Sequence, residues 1–298
     1  MGMHMMLTIG KESVYGSDLP DFMVWNQVKE LPIFWKPFYS FPVAVIGSIL
    51  VPMAFALVFG FFAFRSRIKG VYFAIITQAL ALVAWLVFNR NDTNLGGTNG
   101  LTDFKQVIGY RLSEPGTQRV LYIITVLCLG ASYLFCQWII RSRAGRVLVA
   151  VRDSEKRVVF SGYTPANYKL FVFVVAAALA GLAGMLYAPQ VGIITPAQIG
   201  VLPSLEMVIW VAVGGRASLA GAVLGAVSVN YGRSVLTNYF PELWPFILGG
   251  LFVLVVLLFP DGLIGMMRKA KSLLSRRKPD GGEPVVPAEK AAVLEGKH

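Results

Sequence analysis

The chain has 298 residues, 56% of them hydrophobic and only 14% charged, and its mean hydropathy is +0.64. Soluble domains carry about a quarter charged residues, so a single soluble domain is excluded, and long apolar runs closed by short basic stretches point to helices in a bilayer. The net charge is +11, but Lys and Arg gather at the ends of the apolar runs and not on an aromatic-lined basic face, which argues against a nucleic-acid partner.

In chain order, Met1 to Ile9 is apolar, too short to span, and lacks the basic start and cleavage site of a signal peptide. It is expected to be the tail of a helix whose beginning is missing. Residues 10–37 hold Pro20, Pro32 and Pro37 and suit an irregular loop, which makes 1–37 an external segment. The first long run is Phe38 to Phe64, closed by Arg65, Arg67 and Lys69, and the second is Gly70 to Phe88. A loop over 89–119 contains the patch Gly96-Gly97-Thr98-Asn99-Gly100. The third run is Val120 to Ile140, closed by Arg141, Arg143 and Arg146, and the fourth is Leu170 to Ala188. Leu205 to Val213 and Leu219 to Val229 are short and flank Gly214-Gly215-Arg216; Trp244 to Phe259 is the last apolar run. Short, Gly-interrupted segments in a membrane mark a binding site or pathway, because irregular backbone survives there only beside protein or water. The fold class is therefore all-α: a polytopic bundle over 38–267 with short Gly-interrupted helices in its C-terminal half. The tail 268–298 is basic and rich in Pro, Gly, Glu and Lys, and is expected to be disordered and cytoplasmic.

Orientation follows from the basic residues. Segment 65–69 holds three, 141–169 seven and the tail eight, while 1–37 and 89–119 hold three and four, and between them as many acids. The first three belong in the cytoplasm and the last two outside. Crossings around 205–213, 219–233 and 243–259, or one broken span with a re-entrant segment, return the chain to the cytoplasm.

The stretch from Gly145 to Glu155 mixes an apolar face with alternating charge, and Val158, Val159 and Phe160 add a second apolar patch. Gly162 is suited to stop a helix with positive φ, and Thr164-Pro165 looks like an N-cap followed by proline at the first helical position. Such a short cytoplasmic helix between two spans acts either as a rigid lever docked on a partner or as a helix on anionic lipid.

In the second run Ala74, Gln78, Ala81, Trp85 and Asn89 form one stripe. Gln78 lies mid-membrane, where an unpaired amide is costly; it either contacts a hydrogen-bonding solute or bonds a neighbouring helix. Candidate pathway residues are Thr77, Gln78, Trp85, Asn89, Asn99 and Glu206, the last expected near the outer surface. Gly181 and Gly184, and later Gly221 and Gly225, are placed for close helix packing.

No Walker motif occurs, and the glycine patch is followed by no Lys-Ser or Lys-Thr. Cys128 and Cys136 suit small packing residues, and the two histidines, His4 and His298, sit at the chain ends; no metal cluster is visible. The spans lack the mid-depth ionised residues of ion-coupled carriers and the acidic or histidine clusters of a membrane enzyme. A passive channel is the other transport class open to such a chain.

Gly70-Val71-Tyr72-Phe73-Ala74-Ile75-Ile76-Thr77-Gln78-Ala79, the loop Asn89–Asp92 and Gly96–Phe104, the stretch Gly145–Leu170, Ala180–Gly184 and Val213–Gly225 together resemble the permease of branched-chain amino acid ABC importers. They are similar above all to its urea-type relatives. The resemblance covers residues 1 to about 268. It implies a multi-pass subunit of a bacterial inner membrane that is not itself an enzyme and translocates urea or a short amide, with a branched-chain amino acid as the alternative. It implies partners: a second permease, two ATPase subunits that bind ATP, an external solute-binding protein and membrane lipid. It makes 141–169 the coupling loop, with Arg146, Arg152, Asp153, Glu155, Phe160 and Gly162 at the ATPase contact. Lys156 and Arg157 depart from the small apolar residues usual there.

Overall fold

The computed structural model describes residues 1–8, 20, 23–24, 30–66, 70–90, 97–102, 104–215, 218–239, 246–247, 249–250, 253 and 265. In chain order its elements are α1 (Gly2–Leu7), α2 (Phe41–Arg65), α3 (Val71–Asn89), β1 (Gln106–Val107), β2 (Tyr110–Arg111), α4 (Pro115–Arg141), α5 (Arg143–Asp153), α6 (Glu155–Phe160), α7 (Pro165–Val191), α8 (Val201–Gly214) and α9 (Leu219–Tyr239). Short 3₁₀ turns cover Lys36–Tyr39, Gly97–Asn99 and Pro196–Ile199. Among the described residues α2, α3, α4 and α7 are each long and apolar enough to cross a bilayer. The chain is a polytopic helical membrane protein.

Helix ends extend past the apolar runs. α4 starts at Pro115 and α7 at Pro165, each five residues before the run that marks it in the sequence. Proline fixes φ for the first helical position and loses nothing by lacking an N–H there. The first turns that follow are polar, so an apolar run does not mark them. The run Trp244 to Phe259, the tail from Arg268, and Arg216 lie almost wholly outside the described residues.

Two units are distinguished, Met1–Glu206 and Met207–His298. In the first, α2 and α7 pack antiparallel along their lengths: Gly60 meets Leu170 and Phe173, and Gly181 meets Ser48 and Pro52. Phe173 contacts the rings of Phe59 and Phe64, with centroids 6.1 and 5.8 Å away. Pro52 lies inside α2, so the Ser48 carbonyl four residues earlier loses its helical donor. A Cβ on Gly181 would fall on that oxygen. The hydrogen in its place points at the oxygen, the geometry of a weak C–H···O contact. The Ser48 hydroxyl donates to Ala44 O at 2.7 Å.

The end of this bundle opposite α6 carries a small cap. All six residues of α1 are buried, and Met3, Met5, Met6, Leu7, Met23, Phe104 and Val107 form its core. His4 is buried as well, and its Nδ1–H donates to Phe38 O at 2.8 Å. The start of the chain is thus a buried helix under a loop layer; it has no charged residue, and burying each methionine contributes about 1.5–3 kcal/mol. Leu101 and Ile194 exchange backbone hydrogen bonds at 2.8 Å in both directions, tying the loop after α3 to the loop after α7. Gly100, at φ +69°, lies so close to Ile194 O that a side chain has no room. The hairpin turns through Ile108 and Gly109, both at positive φ, the signature of a type I′ turn.

In the second unit, Gly214 packs backbone to backbone on Gly221 and Gly225. Ile209, Ala212, Val213 and Val229 form the core beside Trp210 and Leu236. Ser218 Oγ accepts the Gly221 N–H at 3.3 Å and starts α9. α8 and α9, bent by 117°, are together long enough for one broken span or a re-entrant pair.

Candidate functional site

Two regions hold the residues singled out in the sequence. The first is the segment between α4 and α7, which folds as two helices and not one. Ser142 ends α4, and its Oγ accepts the Gly145 N–H at 3.2 Å, capping α5. A Cβ on Gly145 would strike the carbonyls of Ile139 and Ile140, so α5 is folded tightly against the end of α4. Gly145 and Val151 are buried, while Arg146, Arg152 and Asp153 are exposed. Arg152 Nε donates to Asp153 Oδ1 at 3.0 Å, an exposed pair that adds little to stability.

Ser154 is extended (φ −159°, ψ 96°) and breaks the helix before α6. In α6 Val158 is buried and Phe160 is 90% exposed. The helix closes on Gly162 at φ +83°. Tyr163 N–H donates to Val158 O at 3.2 Å and Gly162 N–H to Val159 O at 3.0 Å, the two bonds of a Schellman motif. Glycine is needed there because a left-handed residue follows the last helical turn. Thr164 precedes α7 but its side chain caps nothing, a departure from the sequence expectation; only its carbonyl is used, accepting the Asn167 N–H at 3.2 Å.

Glu155 and Lys169 form an ion pair at 3.0 Å with about a third of each side chain exposed, 30% and 32%. It links α6 to the first turns of α7. The element is therefore fastened to α4 through Ser142 and Gly145, and to α7 through Glu155 and Lys169. Sequence reasoning missed Ser142 and Lys169. Ser142 followed three residues later by Gly145 was a legible cap; Lys169 was not, because its partner is 14 residues away and only the turn at Gly162 brings them together. A cleft of about 470 Å³ opens between α6, the end of α2 and the start of α7, with Phe61, Arg65, Lys156 and Asn167 in its wall.

The second region is the inward face of α3. Phe73, Thr77, Gln78, Ala81, Trp85 and Asn89 are half-buried, whereas Tyr72, Ile75, Leu82 and Leu86 on the other side are exposed. At 100° per residue Gln78, Trp85 and Asn89 lie within about 40° of one another. The outer part of α3 packs against the turns at Gly97–Asn99 and Pro196–Ile199. Gln78 Oε1 is buried and accepts no hydrogen bond. Thr77 is turned away from this line, and its hydroxyl donates to Ala74 O at 2.9 Å. Asn99 is exposed at the turn, and Glu206 is half-buried on α8. A polar link that sequence reasoning missed joins two spans: Gln190 Nε2 of α7 donates to Thr125 Oγ1 of α4 at 2.6 Å. Gly181 closes the α2–α7 crossing, Gly221 and Gly225 close the α8–α9 crossing, and Gly184 meets no atom within 4 Å.

Residues 9–256 match the family described as "Branched-chain amino acid transport system / permease component". The chain belongs to that family. Among curated relatives of this permease-family chain, the LivM permease protein of Salmonella typhimurium is 27% identical over 231 residues, covering 70% of this chain and 54% of that protein. The LivM protein of Escherichia coli is 26% identical over 290 residues, covering 90% and 66%. The BraD permease protein of Pseudomonas aeruginosa is 32% identical over 152 residues, covering 50% and 47%. All three are named as high-affinity branched-chain amino acid transport proteins. The chain thus spans between about half and two thirds of the length of these relatives. No solved structure matches it. With its family and its apolar helices, it is a multi-pass protein of the inner membrane.

Proposed function

We propose that the chain is a permease subunit of an ATP-binding cassette importer and that its solute is a branched-chain amino acid. The observation that carries this reading is the α5–α6 element, fastened at both ends to spans and presenting Phe160 at 90% exposure. A helix pair so held is tied to α4 at one end and to α7 at the other, which is what a separate motor needs in order to act on the spans. In this reading α5–α6 faces the cytoplasm and seats on one of two ATPase subunits, which bind and hydrolyse ATP. A second permease and an external solute-binding protein complete the assembly.

The amino acid is preferred to urea because the relatives are named for branched-chain amino acids. The α3 stripe suits the polar end of such a solute. Gln78 Oε1 is an unpaired acceptor, and leaving it so costs about 1–3 kcal/mol, which an ammonium or amide donor recovers on arrival. Trp85 and Asn89 continue the line toward the outer end.

The test is uptake by proteoliposomes holding the chain with its ATPase, second permease and binding protein. Labelled leucine is expected to accumulate with ATP and labelled urea is not. Phe160→Asp is expected to lose ATPase copurification and uptake while the spans stay folded. ATPase copurification at wild-type yield, or uphill uptake without any ATPase, refutes the coupling role.

A further inference from the structure

We propose that the cleft at the foot of α2, α6 and α7 is a binding site for the headgroup of an anionic phospholipid, drawn from the leaflet that adjoins this end of the spans. The cleft has about 470 Å³, ample for a glycerophosphate group. Its wall is divided by chemistry. Gly60, Phe61, Phe64 and Leu170 come from the apolar spans, whereas Arg65, Lys156 and Asn167 lie at the end of one span, on α6 and in the first turn of the next. A diacyl lipid has the same division, with acyl chains running along the spans and a phosphodiester at their end.

The charge favours an anion. Three cations, Arg65, Lys156 and Lys169, line the cleft against one carboxylate, Glu155. Lys169 is held by Glu155 at 3.0 Å, so Arg65 and Lys156 carry the excess; among the described residues neither has a carboxylate partner. The Arg65 guanidinium lies over the Phe61 ring, 5.5 Å from its centroid, which holds it at the cleft wall. The 27-residue α7 opens here with proline first and no side-chain cap. Its N-terminal backbone donors and dipole add to the attraction. Basic pockets between spans are established sites for acidic lipid headgroups. A bound lipid would bridge the coupling element to α2, giving the membrane's anionic lipid content a grip on the element. The site itself does not depend on the ATPase or on the solute.

Native mass spectrometry of the full-length chain in neutral detergent tests this, with titrations of phosphatidylglycerol, phosphatidylcholine of the same acyl chains, and inorganic phosphate. Phosphatidylglycerol is expected to bind in preference to phosphatidylcholine. Arg65→Gln and Lys156→Gln are each expected to weaken it about fivefold, and Arg141→Gln, an exposed cation outside the cleft, is expected to leave it unchanged. Lys156 is exposed on α6, so its variant reports binding even if Arg65→Gln unfolds. Equal loss in Arg141→Gln or no preference between the lipids overturns the site. Displacement by equimolar inorganic phosphate assigns the cleft to a free anion and overturns the lipid.

Discussion

Gly181 and Gly184 look alike in the sequence, one turn apart on a small-residue face. The fold separates them: a Cβ on Gly181 would strike the Ser48 carbonyl, and one on Gly184 would meet nothing within 4 Å. Gly181→Ala is therefore expected to destabilise the purified chain by about 1–3 kcal/mol through overpacking. Gly184→Ala is expected to be neutral or to gain up to about 1 kcal/mol from helix propensity. Thermal unfolding in one detergent compares the two, and equal effects would mean that α2 and α7 do not cross at Ser48. A second position carries strain in the open. Ile108 is a β-branched residue at φ 52° and 58% exposed, a conformation that costs about 1–3 kcal/mol. Ile108→Asn creates the Asn-Gly pair that a type I′ turn favours, and slower amide exchange across Gln106–Arg111 is the expected result. Single residues were legible where one conformation demands one residue type. Gly162 is the clear case, because its positive φ follows from its position after an apolar turn. They were not legible where the partner comes from afar: the rupture of the Ser48 ladder by Pro52 can be read locally, but nothing local says that Gly181 covers it.

The element between α4 and α7 was legible as an amphipathic, basic stretch between two spans, with its end at Gly162. Its break at Ser154 was not, since serine suits a helix N-cap and a helix interior position nearly as well when no tertiary contact is known. The break matters, because it lets α5 follow α4 while α6 follows α7. Gly162→Ala forces a Cβ into the left-handed region at about 1–2 kcal/mol and loosens the Schellman closure that aims α6 at α7. Uptake is expected to fall severalfold while ATP hydrolysis by the assembled complex persists, a loss of coupling and not of assembly. Measuring both rates on the same proteoliposomes distinguishes this from misfolding, in which they fall together. The Glu155–Lys169 pair gives a sharper version. Glu155→Lys and Lys169→Glu are each expected to uncouple, and the double exchange to restore uptake, with stability changing by less than about 1 kcal/mol because the pair is a third exposed.

At the largest scale, the four long apolar helices among the described residues were legible from apolar runs closed by basic stretches. The cap built on α1 was not, because Met1–Leu7 has the composition of a span fragment and its partners, Phe104 and Ile194, are about a hundred and two hundred residues away. The structure groups the loops into two sets that match the charge count. Ser142, Glu155 and the end of α2 share one end of the first unit; α1, the hairpin, and the Leu101–Ile194 link share the other. The orientation proposed for the coupling role puts the first set in the cytoplasm, as the seven basic residues of 141–169 favour. In a background with Cys128 and Cys136 replaced by Ala, a cysteine introduced at Glu155 is expected to react with a membrane-impermeant maleimide only after cells are opened. One introduced at Ile108, exposed at the hairpin tip, is expected to react in intact cells. The two sites check each other, since any single reversal of the bundle exchanges their labelling. Reaction of both from the same side would mean that α4, which lies between them, does not cross the membrane, and would remove the lever on which coupling depends.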